Sequence, residues 1–148
     1  MRVLVIGGTL FIGRRLVGEL VKTGHEVTVM HRHAEHNLGR KVGNLMADRN
    51  DPESVRQAVK GRQFDVVFDN VYDWERGTTA AQVEATAQAF GEGLKRYIFM
   101  SSVAAYGDGL NHHEDDALAP DTHPEAYVRN KAMSERALFR LHQRSGLP

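Results

Sequence analysis

The sequence contains no cysteine, no excess of charge of either sign and no long apolar run, and each absence removes a class of protein. Without thiols there is neither a disulfide framework nor a thiolate metal site, which fits a reducing compartment and leads to the expectation of a cytoplasmic protein. Lysine and arginine number 19 together, as do aspartate and glutamate, so the net charge draws the chain neither to nucleic acid nor to an anionic membrane. No apolar stretch approaches the roughly 20 residues that cross a bilayer. The opening MRVLVIGG is broken by glycine and followed by no small-residue cleavage site, so it reads as a buried strand rather than a secretory signal. There is no internal repeat and no low-complexity tract. A soluble protein is expected, with no membrane or nucleic-acid partner.

What is present fits one domain: 148 residues, 41% of them hydrophobic and 26% charged. Val3 to Ile6 is wholly apolar and stops at Gly7-Gly8, as a central parallel strand does. Ile12, Leu16, Val17, Leu20 and Val21 then recur at helical spacing, with Gly24 as the stop. Val27 to Met30 reads as a second strand. Leu45 to Ala47 reads as a third, after a polar, basic loop. A helix is expected from Pro52 to Val59, where proline suits the first turn. A strand is expected over Phe64 to Phe68, a helix over Thr79 to Leu94 and a strand over Tyr97 to Met100. Gly107 to Pro120 is a long polar loop, and Thr122-x-x-Glu125 has the form of a capping box opening a last helix that runs to about His142.

This alternation calls for an α/β fold, a Rossmann-type doubly wound parallel sheet in three αβα layers with strand order 3-2-1-4-5. The chain ends at Ser145-Gly146-Leu147-Pro148, a helix stop beyond which such a pattern enters its next strand. Residues 1–148 are therefore expected to be a dinucleotide-binding domain without its sixth strand and C-terminal substrate-binding portion.

Gly7-Gly8-Thr9-Leu10-Phe11-Ile12-Gly13 lies between the first strand and the first helix, where backbone amides and the helix dipole favour an anionic pyrophosphate. The segment resembles the loop of the extended short-chain dehydrogenase/reductase family, also called the NAD-dependent epimerase/dehydratase family, which reads roughly T-G-G-x-G-F-I-G. Gly7, Gly13 and Phe11-Ile12 match in place, while Ile6 stands for the threonine and Leu10 for the middle glycine. The result is similar to the G-G-T-x-F-I-G variant of an atypical branch.

In such folds the residue ending the second strand reads the adenosine ribose. His31 stands at the usual acidic position and Arg32 follows it, so NADP is favoured over NAD, with Arg14 or His33 as possible helpers. The resemblance implies that Asp48-Arg49 contacts the adenine and that Asn70-Val71-Tyr72 lies along the cofactor, although Tyr72 is bulkier than the family norm.

Tyr127 and Lys131 form a Y-x-x-x-K motif on one face of the expected last helix, a spacing at which an ammonium can favour a phenolate. Ser101-Ser102-Val103-Ala104-Ala105-Tyr106-Gly107 resembles the family's S-S-x-x-x-Y-G segment. Glu114 to Pro120 resembles its acidic loop. The resemblance implies that Tyr127 is the acid/base toward a substrate hydroxyl or carbonyl, that Ser102 hydrogen-bonds the same oxygen, and that Lys131 holds the nicotinamide ribose. His112-His113-Glu114-Asp115-Asp116 lacks the helical H-x-x-x-H spacing of a metal site and reads as a solvated loop on the substrate side. His31, Arg32, His33, His36, Arg40 and Lys41 form a basic cluster without interleaved aromatics, so it does not read as a nucleic-acid surface.

The reading is an NADP- or NAD-dependent epimerase, dehydratase or reductase without metal, acting on a small molecule, with nucleotide sugars as the commonest substrates of the resembled family and a homodimer as a candidate assembly. Two alternatives stand beside it: a non-catalytic dinucleotide sensor, and an RNA-associated protein of the kind found in the branch that carries the variant loop.

Overall fold

Short apolar runs become parallel strands here because both of their faces find cover. In the computed structural model, which describes residues 1–148, the elements are β1 (Arg2–Ile6), α1 (Phe11–Lys22), β2 (Glu26–His31), β3 (Val42–Met46), α2 (Pro52–Val59), β4 (Val66–Asp69), α3 (Ala80–Gln88), β5 (Arg96–Phe99), a short 3-10 helix (Val103–Tyr106) and α4 (Ala126–Ser145). All strand pairs are parallel, and the sheet order is β3-β2-β1-β4-β5, as the alternation requires. Side chains along β1 alternate between two cores. Leu4 and Ile6 join Met30, Leu45, Val67 and the α2 residues Val55 and Val59. Val3 and Val5 join Val27, Val29, Val42 and Val17 of α1. An unbroken apolar strand is what two covered faces demand. No helix is long and apolar enough to cross a membrane.

Several boundaries differ from the sequence reading, each for a local reason. β3 begins at Val42 rather than Leu45, because Gly43 and Asn44 pair with Thr28 and Val29 through backbone groups that apolar patterning does not register. Gly43 suits its place by size: a Cβ there would lie 2.8 Å from Thr28 Oγ1. β4 is Val66–Asp69, since Phe64 leaves the ladder to pack against the α2 side of the core. α3 stops at Gln88 rather than Leu94, where Phe90 turns into the same core ahead of Gly91 and Gly93. The capping box belongs to α3, where Thr79 and Gln82 exchange hydrogen bonds, and not to Thr122 and Glu125. Thr122 lies inside a turn that His123 closes onto the Pro120 carbonyl at 3.0 Å, and α4 starts at Ala126. His123 Nδ1 accepts from the Glu125 N–H at 3.2 Å instead. α4 runs to Ser145, past the expected His142.

At the C-terminal end of β4 the core turns ionic. Asp69 is fully buried and Arg49 is 4% exposed, and the two form a bidentate pair at 3.2 and 2.5 Å. Both Nη1 hydrogens are met as well: Nη1 donates to the Gln82 carbonyl at 2.9 Å and to Thr86 Oγ1 at 2.8 Å. The Tyr97 hydroxyl donates to Asp69 at 2.7 Å. Burial, followed by the Asp69 charge, pushes the Tyr97 phenol well above its ordinary pKa.

Asp69→Asn preserves shape while stranding the Arg49 charge in the core. Urea denaturation is expected to show a loss of about 3–5 kcal/mol. The surface change Glu53→Gln on α2 is expected to leave the midpoint nearly where it was. Equal, small losses in both variants would show that the buried pair does not hold the fold.

Candidate functional site

Parallel strands end together, and the chain reverses its winding between β1 and β4, so a crevice opens beyond their C-terminal ends. It is an open cavity of about 600 Å³, walled by the loops after β1, β2, β3, β4 and β5 and by the first turns of α4.

The first wall is the glycine turn. Gly7 has φ +80°, and a Cβ on Gly13 would lie 2.0 Å from the Gly7 carbonyl oxygen, so the first turn of α1 sits directly on the end of β1. Leu10 is the N-cap residue of α1, with extended backbone at φ −128° and its side chain turned out to solvent. That conformation needs no glycine. A leucine also has no acceptor to cap the helix, so the first amides of α1 remain open toward the cavity. Phe11 carries the unusual φ of +41°, a strained conformation of the kind that gathers at binding sites. Thr9, Ile12 and Gly13 complete this wall, while Gly8 is packed behind it against Val29 and Val17.

At the end of β2, burial pushes the His31 imidazole below its ordinary pKa, with repulsion from His36 and His33 adding to the effect and the Asn44 hydrogen bond opposing it. Arg32 is thus the lasting cation of this wall. It lies 3.5 Å from Asp73, beyond β4. Asp48 is grasped by Arg76 at 2.9 and 3.1 Å, and that contact holds its carboxyl below the usual carboxylate range. The Asn50 N–H also reaches Asp48 Oδ1 at 2.9 Å, so one lone pair of Oδ2 is left for a ligand. Arg14 turns away to Asn37 at 2.6 Å. Although the sequence pairs Arg49 with Asp48, the Arg49 guanidinium points inward to Asp69.

Along the floor lie Asn70, Val71 and Tyr72. Both polar atoms of the Asn70 amide are buried with no partner in the chain. Such a group is costly unless a ligand or water in the cavity answers it. Together with the open amides of α1, it makes the cavity fit a long, polar, anionic molecule such as a dinucleotide.

At the far end, Tyr127 and Lys131 share one face of α4 and both line the cavity. The Lys131 ammonium donates to the Met100 carbonyl at 2.5 Å and lies 4.6 Å from the Phe99 ring centre and 5.9 Å from that of Tyr127. Burial pushes Lys131 below the ordinary lysine pKa, and the Asp69 charge works against that shift. Ser102 is set back from the cavity wall. Its Oγ accepts from the Ala104 N–H at 3.2 Å, capping the 3-10 helix with its own hydrogen uncommitted. Ser101 forms the wall instead, and its hydroxyl donates to Glu135, one turn beyond Lys131.

Of the turn after β4, sequence reasoning reached only as far as Tyr72 and missed Asp73 and Trp74. Trp74 stacks on Tyr127 with ring centres 4.7 Å apart, and Tyr72 stands edge-on to Tyr127, also at 4.7 Å. Asp73, Trp74 and Glu75 all line the cavity. The one available signal was the cluster of aromatic residues just after an apolar strand.

The sequence model of the NAD dependent epimerase/dehydratase family matches residues 3–148. The chain is 30% identical over 148 residues to the chloroplast stem-loop binding protein of 41 kDa b of Arabidopsis thaliana, covering 89% of this chain and 38% of that protein. It is 26% identical over 163 residues to a UDP-glucose 4-epimerase of Neisseria meningitidis serogroup C, covering 93% and 47%. The solved UDP-Glc/GlcNAc 4-epimerase of Campylobacter jejuni superposes with a TM-score of 0.81 at 20% identity, over 99% of this chain and 50% of that one. The chain thus spans about half the length, or less, of the proteins it matches.

Gly13→Ala is expected to cost about 1–3 kcal/mol in thermal denaturation through the clash with Gly7. Leu10→Gly, at an extended and exposed position, is expected to cost under about 1 kcal/mol. The reverse order would contradict the turn described above.

Proposed function

The chain belongs to the NAD dependent epimerase/dehydratase family, and from that premise we propose that its cavity binds a nicotinamide dinucleotide and that Ser102, Tyr127 and Lys131 act on a hydroxyl or carbonyl carbon of a nucleotide sugar. The observation that carries this reading is the placement of Tyr127 and Lys131 on one face of α4, in the same cavity as the glycine turn. The relatives named UDP-glucose 4-epimerase and UDP-Glc/GlcNAc 4-epimerase support the substrate class.

Each wall has a part in this scheme. The Gly7 to Gly13 backbone takes the pyrophosphate, Asp48 Oδ2 accepts from the adenine amine, and Asn70 finds partners along the dinucleotide. Arg32 reads the adenosine ribose and favours NADP, in competition with Asp73 for the same cation. When bound, the nicotinamide supplies a hydride donor or acceptor. The Tyr127 hydroxyl makes no hydrogen bond within the chain and is free to exchange a proton with the substrate oxygen. Ser102 donates its uncommitted hydrogen to that oxygen. Lys131, whose pKa burial pushes below the ordinary lysine value, holds the ribose beside the nicotinamide.

Similarity to a stem-loop binding protein raises RNA as a rival ligand. That alternative finds less support here, since the net charge is zero and the rim beside the aromatic residues carries Asp73 and Glu75 rather than a basic groove.

Two experiments test the proposal. Calorimetric titration is expected to show NADP binding about tenfold tighter than NAD, and Arg32→Ala to abolish the difference; equal affinities in the unchanged protein would remove the NADP preference. Tyr127→Phe is expected to retain cofactor binding while turnover of a nucleotide sugar drops by at least about 100-fold. Unchanged turnover would remove Tyr127 as the acid/base, and absence of turnover in both proteins would favour the sensor alternative.

A further inference from the structure

The turn after β4 is built more firmly than a connection needs. Asp73 Oδ1 accepts from the backbone N–H groups of Glu75 and Arg76 at 3.0 and 2.9 Å, while Arg76 grips Oδ2 at 2.7 Å. The Asp73 N–H donates to Thr78 Oγ1 at 3.0 Å, and the Gly77 N–H returns to the Asp73 carbonyl at 2.8 Å. This frame carries Trp74. Its indole lies within 26° of parallel to the Tyr127 ring, at a centre separation of 4.7 Å that marks an offset stack. Tyr72 supports the pair edge-on, 5.0 Å from the indole centre. One indole face is covered by Tyr127, yet 75% of the residue remains exposed at the cavity wall. A large apolar ring held rigidly in water, one ring away from the proposed acid/base, contributes little to the core.

We propose that Trp74 is a specificity-determining residue of the substrate subsite, its uncovered indole face receiving the C–H face of a pyranose ring, an assignment that rests on the nucleotide-sugar reading above. The indole face is electron-rich, and a pyranose presents a patch of weakly positive C–H groups bordered by hydroxyls. An open-chain carbonyl substrate offers no such face. Stacking of this kind binds ground state and transition state alike, so it acts on KM more than on kcat.

Trp74 is the chain's sole tryptophan, so its emission reports on this subsite without a label. With NADP or NAD at saturation, established by calorimetry, UDP-glucose is expected to shift the emission and an acyclic β-keto acid is not. Trp74→Ala is expected to raise KM for UDP-glucose about tenfold, with kcat and cofactor affinity little changed, and Trp74→Phe to restore most of the loss. Emission that responds to cofactor and not further to UDP-glucose would overturn the proposal, as would a fall in kcat at unchanged KM, which would make Trp74 a positioning residue for Tyr127. Failure of the unchanged protein to bind either cofactor would overturn the functional reading itself, and calorimetry shows that before any sugar is added.

Discussion

The site depends on the buried pair between Arg49 and Asp69. Two charges sit inside a core at tolerable cost where further hydrogen bonds satisfy the pair, and here those come from α3 and β5 through Gln82, Thr86 and Tyr97. Four segments are thereby fixed at one point below the cavity. The pair also orients its neighbours. Successive side chains along an extended segment point opposite ways, so an inward Asp69 sends Asn70 into the cavity. Asp48, beside inward-pointing Arg49, is likewise left at the cavity wall with its carboxylate toward Arg76.

Charge in the cavity is arranged in short range rather than as a broad field. Arg32, Arg76, Asp48 and Asp73 alternate in sign along one rim, so their sum is zero and discrimination among ligands falls to individual contacts. At the other end burial of Lys131 lowers its pKa, and the two members of the buried pair act on it in opposite senses, Asp69 favouring the ammonium and Arg49 disfavouring it.

Strand order and layering were legible because they follow from alternating periodicity: doubly buried runs such as Val3 to Ile6 and the α1 stripe through Val17 leave few topologies open. The glycine turn and the Tyr127, Lys131 spacing were legible for the same reason, being local. What the sequence hid was tertiary. The box at Thr79 and Gln82 and the look-alike at Thr122 and Glu125 have similar patterns, and the turn that His123 closes onto Pro120 decides between them. Arg49 looked like a ligand contact beside Asp48, but its partner Asp69 stands 20 positions away. Ser102 has a second task that its motif does not announce, its oxygen capping the 3-10 helix. Trp74 has no periodicity at all, and only the fold brings it onto Tyr127.

The turn at Asp73 joins the two ends of the crevice through one short segment. Its carboxylate contacts Arg32, just beyond β2, and the next residue lies on Tyr127 of α4. The two ends are unequally tied to it: Arg32 is one exposed partner of Asp73, whereas Arg76, Thr78 and the Gly77 N–H hold the turn from within, so a substitution at Arg32 leaves the indole where it is and the two ends of the crevice are free to change separately.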